Sequence, residues 1–96
     1  MYKVKYVYTR PTKDINYYEF PQEFLEYVLE NYYESRIFNE KQISEDELQL
    51  TQSTWWESKA AFDAYQADPI IQGYLDAKRA YSQENELSFV TTFTEE

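Results

Sequence analysis

Residues 51–69, TQSTWWESKAAFDAYQADP, decide how this chain folds. Over residues 47–56 the side chains alternate. Leu48, Leu50, Gln52, Thr54 and Trp56 share one parity, and Glu47, Gln49, Thr51, Ser53 and Trp55 share the other. Alternation rich in β-branched and aromatic residues predicts a strand. Ser58 follows as a helix N-cap, because its hydroxyl can accept from an amide that the first turn leaves unpaired. Ala61, Phe62 and Tyr65 then share a helical face, while Lys59, Asp63 and Gln66 point away. Asp68-Pro69 is a second start signal, a capping carboxylate before a proline suited to the first helical position. One helical region over 58–82, broken at Asp68-Pro69, is therefore expected.

Towards the N-terminus, residues 2–9 form the cleanest strand, with Tyr2, Val4, Tyr6 and Tyr8 on one face and Lys3, Lys5, Val7 and Thr9 on the other. Pro11 ends it, and residues 14–20 read as an aromatic loop. Pro21 suits the opening of a helix over 21–35, with an apolar stripe of Phe24, Leu25, Val28, Leu29 and Tyr32. Glu23, Glu26, Glu30 and Glu34 line the opposite face. They repel one another in a row, whereas a hard cation needs converging oxygens, so the row reads as a solvated face. Residues 36–43 form a weaker strand, and Ser44-Glu45-Asp46 turns into the tryptophan strand without the glycine that a tight primed hairpin favours.

Beyond Pro69, Ile70, Tyr74, Ala77 and Tyr81 are expected inside, with Gln72, Asp76 and Arg79 outside. Gly73, the only glycine, falls beside Ala77 and Ala80 on the flank of that face. Mid-helix glycine costs about 1 kcal/mol relative to alanine, so this row of small residues implies close helix packing or room for a ligand. Glu84-Asn85-Glu86 turns the chain, and residues 87–93 make a last strand with Leu87, Phe89 and Phe93 on one side.

The chain of 96 residues is expected to form a single domain over 1–96. With 43% hydrophobic residues, disorder is excluded as the default. Rings make up 20% of the chain, chiefly 11 tyrosines, so the core contains hydroxyl groups that need partners and leaves irregular space. The sequence has no cysteine, which excludes disulfides and thiolate metal sites, and no histidine, the commonest general base and the usual zinc or proximal haem ligand. No cofactor is expected. A net charge of −9 disfavours nucleic acid, although Lys3, Lys5, Arg10 and Lys13 precede the first acid, Asp14. MYKVKYVY is no signal peptide and no apolar run is long enough to span a membrane, so the expectation is a cytoplasmic protein with no membrane partner.

The order strand, helix, strand, strand, split helix, strand predicts an α+β, ferredoxin-like βαββαβ fold. In it a four-stranded antiparallel sheet has its first and third strands central and its helices on one face. The other face is left bare, with Val7 and Trp55 beside Lys3, Lys5 and Glu47, and pairing of two such faces into a homodimer is expected. Trp56-Glu57-Ser58, Ala61-Phe62, Tyr65 and Asp68-Pro69 resemble a strand-to-helix signature of the dimeric α+β barrel superfamily, in particular antibiotic-biosynthesis-monooxygenase-like domains. The resemblance in element order spans nearly the whole chain. It implies a cavity between sheet and helices, with Trp56 at the position where cofactor-free oxygenases and haem degraders of that superfamily carry a cavity-lining tryptophan. Those enzymes also carry an asparagine on the first strand. Residues 1–9 contain none, and without histidine haem degradation is not expected.

Three functional readings follow. In the first, Tyr6, Tyr8, Phe24, Trp56, Phe62, Tyr65 and Tyr74 line a pocket for an apolar, lipid-like or aromatic molecule, with Arg10, Arg36 or Lys78 available to anchor a carboxylate head group. The plain alternative is that these rings are core. The second is a cofactor-independent monooxygenase-like enzyme acting on an aromatic or quinone-like substrate. The third is a structural or regulatory dimer without a ligand.

Overall fold

The computed structural model describes residues 1–95, the side chains of Ile37 and Phe38 apart. Its elements run β1 (Tyr2–Thr9), α1 (Gln22–Tyr32), β2 (Arg36–Ile43), β3 (Gln49–Trp56), α2 (Lys59–Ala67), α3 (Pro69–Glu84) and β4 (Ser88–Glu95). The four strands form one antiparallel sheet in the order β2-β3-β1-β4. This is the expected ferredoxin-like arrangement, with the second helical region split in two.

The register explains how the alternating strands build one buried face. Tyr2 lies opposite Trp56, Val4 opposite Thr54, Tyr6 opposite Gln52 and Tyr8 opposite Leu50. A shift of one residue would expose every one of these side chains, so burial fixes the pairing. Val4, Trp56 and Ile71 are the largest fully buried side chains. Around them Trp56 meets Phe62 at 5.5 Å and Tyr65 at 4.7 Å between ring centroids, and its Nε1 donates to Thr54 Oγ1 at 3.1 Å.

Both helix starts in the opening motif form. Ser58 Oγ accepts from the Ala61 amide at 3.1 Å, and Asp68 Oδ1 accepts from the Ile70 amide at 2.9 Å. The other carboxylate oxygen of Asp68 accepts from the hydroxyls of Tyr27 and Tyr32, each at 2.6 Å. These two hydrogen bonds, the Tyr27 bond foremost, hold the Asp68 carboxyl below the usual carboxylate range.

Several expectations are corrected. The first helix stops at Tyr32 rather than 35, and Leu25 and Leu29 of its apolar stripe are exposed, Leu29 at 63%. The inner stripe of α3 is Ile71, Leu75, Lys78 and Ser82, whereas Ile70 is 52% exposed. Asp68 caps α3 and Pro69 fixes its first turn, so α3 starts with its own phase and the stripe lands one residue later. Gly73, Ala77 and Ala80 are exposed, and a methyl group added at Gly73 would meet nothing within 4 Å. The small-residue row therefore neither packs against another helix nor borders a gap inside this chain.

The tryptophan strand opens at Gln49 rather than Glu47, because residues 44–48 are held as a turn. Asp46 Oδ1 accepts from Ser44 Oγ at 2.7 Å and from the Leu48 amide at 3.0 Å. Glu47 takes φ 62°, the left-handed conformation that glycine adopts more readily. Arg10 Nε donates to the Glu47 carbonyl at 2.8 Å and secures that conformation.

Candidate functional site

Along the helix-facing side of the sheet the packing loosens from one end to the other. Past Val4 and Trp56, the inward positions are Tyr6 and Tyr8 on β1 and Leu50 and Gln52 on β3. A cavity of about 310 Å³ opens there. Space of this size is at the lower end of what small-molecule pockets occupy. Phe20 and Phe24, stacked at 4.0 Å, close one side, and Leu75, Lys78 and Ser82 of α3 close another. Arg36, at the start of β2, enters from the sheet edge. Exposed Glu19, Leu25, Asn39 and Lys41 border the cavity towards solvent.

Eight of the twenty lining residues are rings, and besides Lys41 at the rim two cations enter more deeply. Lys78 is only 7% exposed; its Nζ donates to the Tyr8 hydroxyl at 3.0 Å and lies 4.7 Å from the centre of the Tyr6 ring. Burial pulls its pKa down to about 8, and the neighbouring Arg79 guanidinium adds to the effect. Arg36 is lowered in the same sense by burial, with nearby Tyr65 and Tyr6 opposing it, and its Nε is buried with no hydrogen-bond partner. Burial pushes Tyr6 up to about 12, against Arg36 and Arg79, and raises Tyr8 and Tyr65 as well. At neutral pH the site therefore presents protonated phenols, an ammonium and a guanidinium. Among the described residues no cluster of three or more acidic side chains has a geometry that could hold a metal ion.

Of the residues singled out from sequence, Tyr6, Tyr8, Phe24, Trp56 and Tyr65 line this cavity. Phe62 and Tyr74 do not. Phe62 lies behind Trp56 and faces a second hollow beside β4, near Tyr2 and Phe93. Tyr74 packs edge-on against Phe24 at 5.2 Å, outside the lining. Among the suggested anchors, Arg36 and Lys78 reach the cavity, whereas Arg10 braces the turns by donating to Glu47 and Ile15 and stacking on Tyr17. Ser82 and Gln52 are lining residues that sequence reasoning passed over. Their positions follow from parity on β3 and from the true phase of α3, one turn beyond Lys78.

The fold and site together define a small ferredoxin-like α+β domain with a ring-lined cavity between sheet and helices. Its ferredoxin-like fold is shared with solved structures described as antibiotic biosynthesis monooxygenases and as a dimeric ferredoxin-like protein. A Deinococcus radiodurans protein classed provisionally as an antibiotic biosynthesis monooxygenase superposes with TM-score 0.64 at 10% identity, covering 100% of this chain and 92% of its own. A dimeric ferredoxin-like protein from an uncultured marine organism gives 0.62 at 9% identity, over 97% and 92% of the two chains. Another antibiotic biosynthesis monooxygenase gives 0.55 at 14% identity, over 100% and 98%. No family model and no curated protein matches the sequence.

Proposed function

We propose that this chain binds an apolar, aromatic small molecule in the cavity between helices and sheet, and does so as a homodimer. The observation that carries the first part is the 310 Å³ space walled by Tyr6, Tyr8, Phe24 and Trp56. Rings surrounding a few polar groups are the make-up of a site for a flat apolar ligand. Quenching of tryptophan fluorescence by naphthalene derivatives tests it, since Trp56 forms part of the wall. Saturable quenching that a Leu50→Trp substitution abolishes supports the reading, and quenching that never saturates refutes it.

The dimer rests on the bare sheet face. Val7 lies between Thr51 and Val90 in the register, and Lys3 sits over the half-buried Trp55 ring at 5.0 Å. The dimeric relative from the marine organism supports pairing in this fold. Sedimentation equilibrium is expected to give a dimer that Trp55→Asp weakens more than Tyr33→Asp, and a monomer at every concentration would refute it.

A second reading is oxygenation of an electron-rich aromatic substrate without a cofactor, favoured by the two relatives described as monooxygenases. Oxygen uptake with a dihydroxynaphthalene, lost in Tyr6→Phe or Lys78→Met, separates catalysis from binding alone.

A further inference from the structure

Of the three cations that line the cavity, Lys41 is exposed at the rim, and Lys78 and Arg36 lie further in. Among the described residues neither Lys78 nor Arg36 forms an ion pair; the ion pairs there are Lys13–Glu47, Lys59–Asp63 and Arg79–Asp76, all elsewhere. This occurs in a chain with 18 acidic residues against 9 basic ones, yet the one carboxylate of the lining, Glu19, is exposed at the rim and pairs with neither cation among the described residues. Buried charge is costly unless it is paired and hydrogen-bonded. Lys78 is met by a phenol hydroxyl and the faces of Tyr6, Tyr8 and Phe89, and the neighbouring Arg79 guanidinium repels it. Beside these cations a further donor is unused. Among the described residues the hydroxyl of Ser82, one helical turn beyond Lys78 and 4% exposed, is buried with no hydrogen-bond partner, and Arg36 Nε likewise has none. Ammonium, guanidinium and hydroxyl all belong to the lining of the same cavity, whose other walls combine rings with leucines and a few polar side chains.

We infer that the ligand of this cavity is an organic monoanion, an aromatic carboxylic acid whose ring system lies among Tyr6, Phe24 and Trp56 and whose carboxylate is taken by Lys78 and Arg36, with Ser82 as a further donor. The inference rests on the ligand-binding reading above and narrows it. A carboxylate accepts from several donors at once, and it supplies the charge that both cations lack. By charge alone two cations would also accept a dianionic phosphate ester, but the glycine-rich cradle typical of many phosphate sites is absent from a chain with one glycine. The net charge of −9 repels anions at a distance, so a preference for an anion must arise from the local pair.

The test is a matched pair of ligands, 2-naphthoate and 2-naphthamide, titrated into the intact protein at neutral pH by calorimetry. They share a ring system and differ in charge. Naphthoate is expected to bind at least about 10-fold more tightly, the scale of a charge-assisted hydrogen bond. Lys78→Met and Arg36→Gln are each expected to weaken naphthoate about 10- to 100-fold and to leave naphthamide within about threefold. Lys78→Arg, which keeps the charge, is expected to retain the preference, and it reads the same quantity if Lys78→Met does not fold. Equal binding of the two ligands overturns the monoanion while the apolar cavity stands. Binding of neither overturns both. A naphthoate preference that survives loss of both cations overturns the assignment of the anchor.

Discussion

The helix-facing side of the sheet has a closed end and an open end, built from the same three elements. Along β1 the inward residues run Tyr2, Val4, Tyr6, Tyr8; along β3 they run Trp56, Thr54, Gln52, Leu50; along α3 they run Ile71, Leu75, Lys78, Ser82. At the Trp56 end rings interlock and Ile71 and Val4 are fully buried. At the other end the two later α3 positions hold an ammonium and a hydroxyl where a core would hold aliphatic side chains, and the space stays unfilled. One periodicity thus produces a core and a pocket, and only the side-chain chemistry separates them. The closed end supplies stability, and the open end leaves space and polar groups that a close-packed core would not.

The largest effect that can break this contrast is at the closed end. Trp56→Ala removes a side chain that is 1% exposed, and urea unfolding is expected to show a loss of about 3–5 kcal/mol. A loss below about 1 kcal/mol would mean that this end is not close-packed either. At the open end the sign reverses: Lys78→Met replaces a poorly compensated buried charge, and the ligand-free protein is expected to gain roughly 1–3 kcal/mol.

The same lysine sharpens the contrast through pH. Its folded pKa of about 8 lies below its ordinary 10.5, so between those values the unfolded chain holds the proton that the folded chain has released. Stability therefore rises with pH, by about 1 kcal/mol between about pH 8 and about pH 9.5, and Lys78→Met removes the slope. The groups facing Lys78 are Tyr6 and Tyr8 of β1, Phe89 of β4 and Arg79 of its own helix. The raised tyrosines act in the opposite direction only above their ordinary 10.0, where the unfolded phenols ionise first. The smallest effect belongs to neither end. Gly73→Ala, on an open helix surface, is expected to add about 0.5–1 kcal/mol and leave naphthoate binding unchanged. Altered binding would tie that surface to the cavity.

Much of the closed end was legible in the sequence, because alternation on β1 and β3 and the caps at Ser58 and Asp68 are local signals. The ring-rich walls at Tyr6, Tyr8, Phe24 and Trp56 were legible for the same reason. The α3 wall was misread. Ile70, Tyr74, Ala77 and Tyr81 make a plausible stripe, and a stripe containing Lys78 and Ser82 looks like a solvated face until the fold buries it. Leu25 and Leu29 were misplaced because an apolar helical residue reveals its face only when a neighbour covers it. The left-handed Glu47 carried no signal, since glutamate there is held by Arg10 from across the loop.

Asp68 joins what the chain keeps apart. Its carboxylate caps α3 and also receives the two phenols that α1 offers, so α1 is clasped to the helix break through a single acidic group. Because the folded carboxyl is held low, the clasp is at full strength at neutral pH and is expected to weaken as acid protonates Asp68, which loosens both tyrosines and the cap together. Phe24 belongs to α1, so loosening α1 in acid is expected to open the wall of the cavity before the sheet melts, which hydrogen exchange checks as faster exchange in α1 than in β1 and β3.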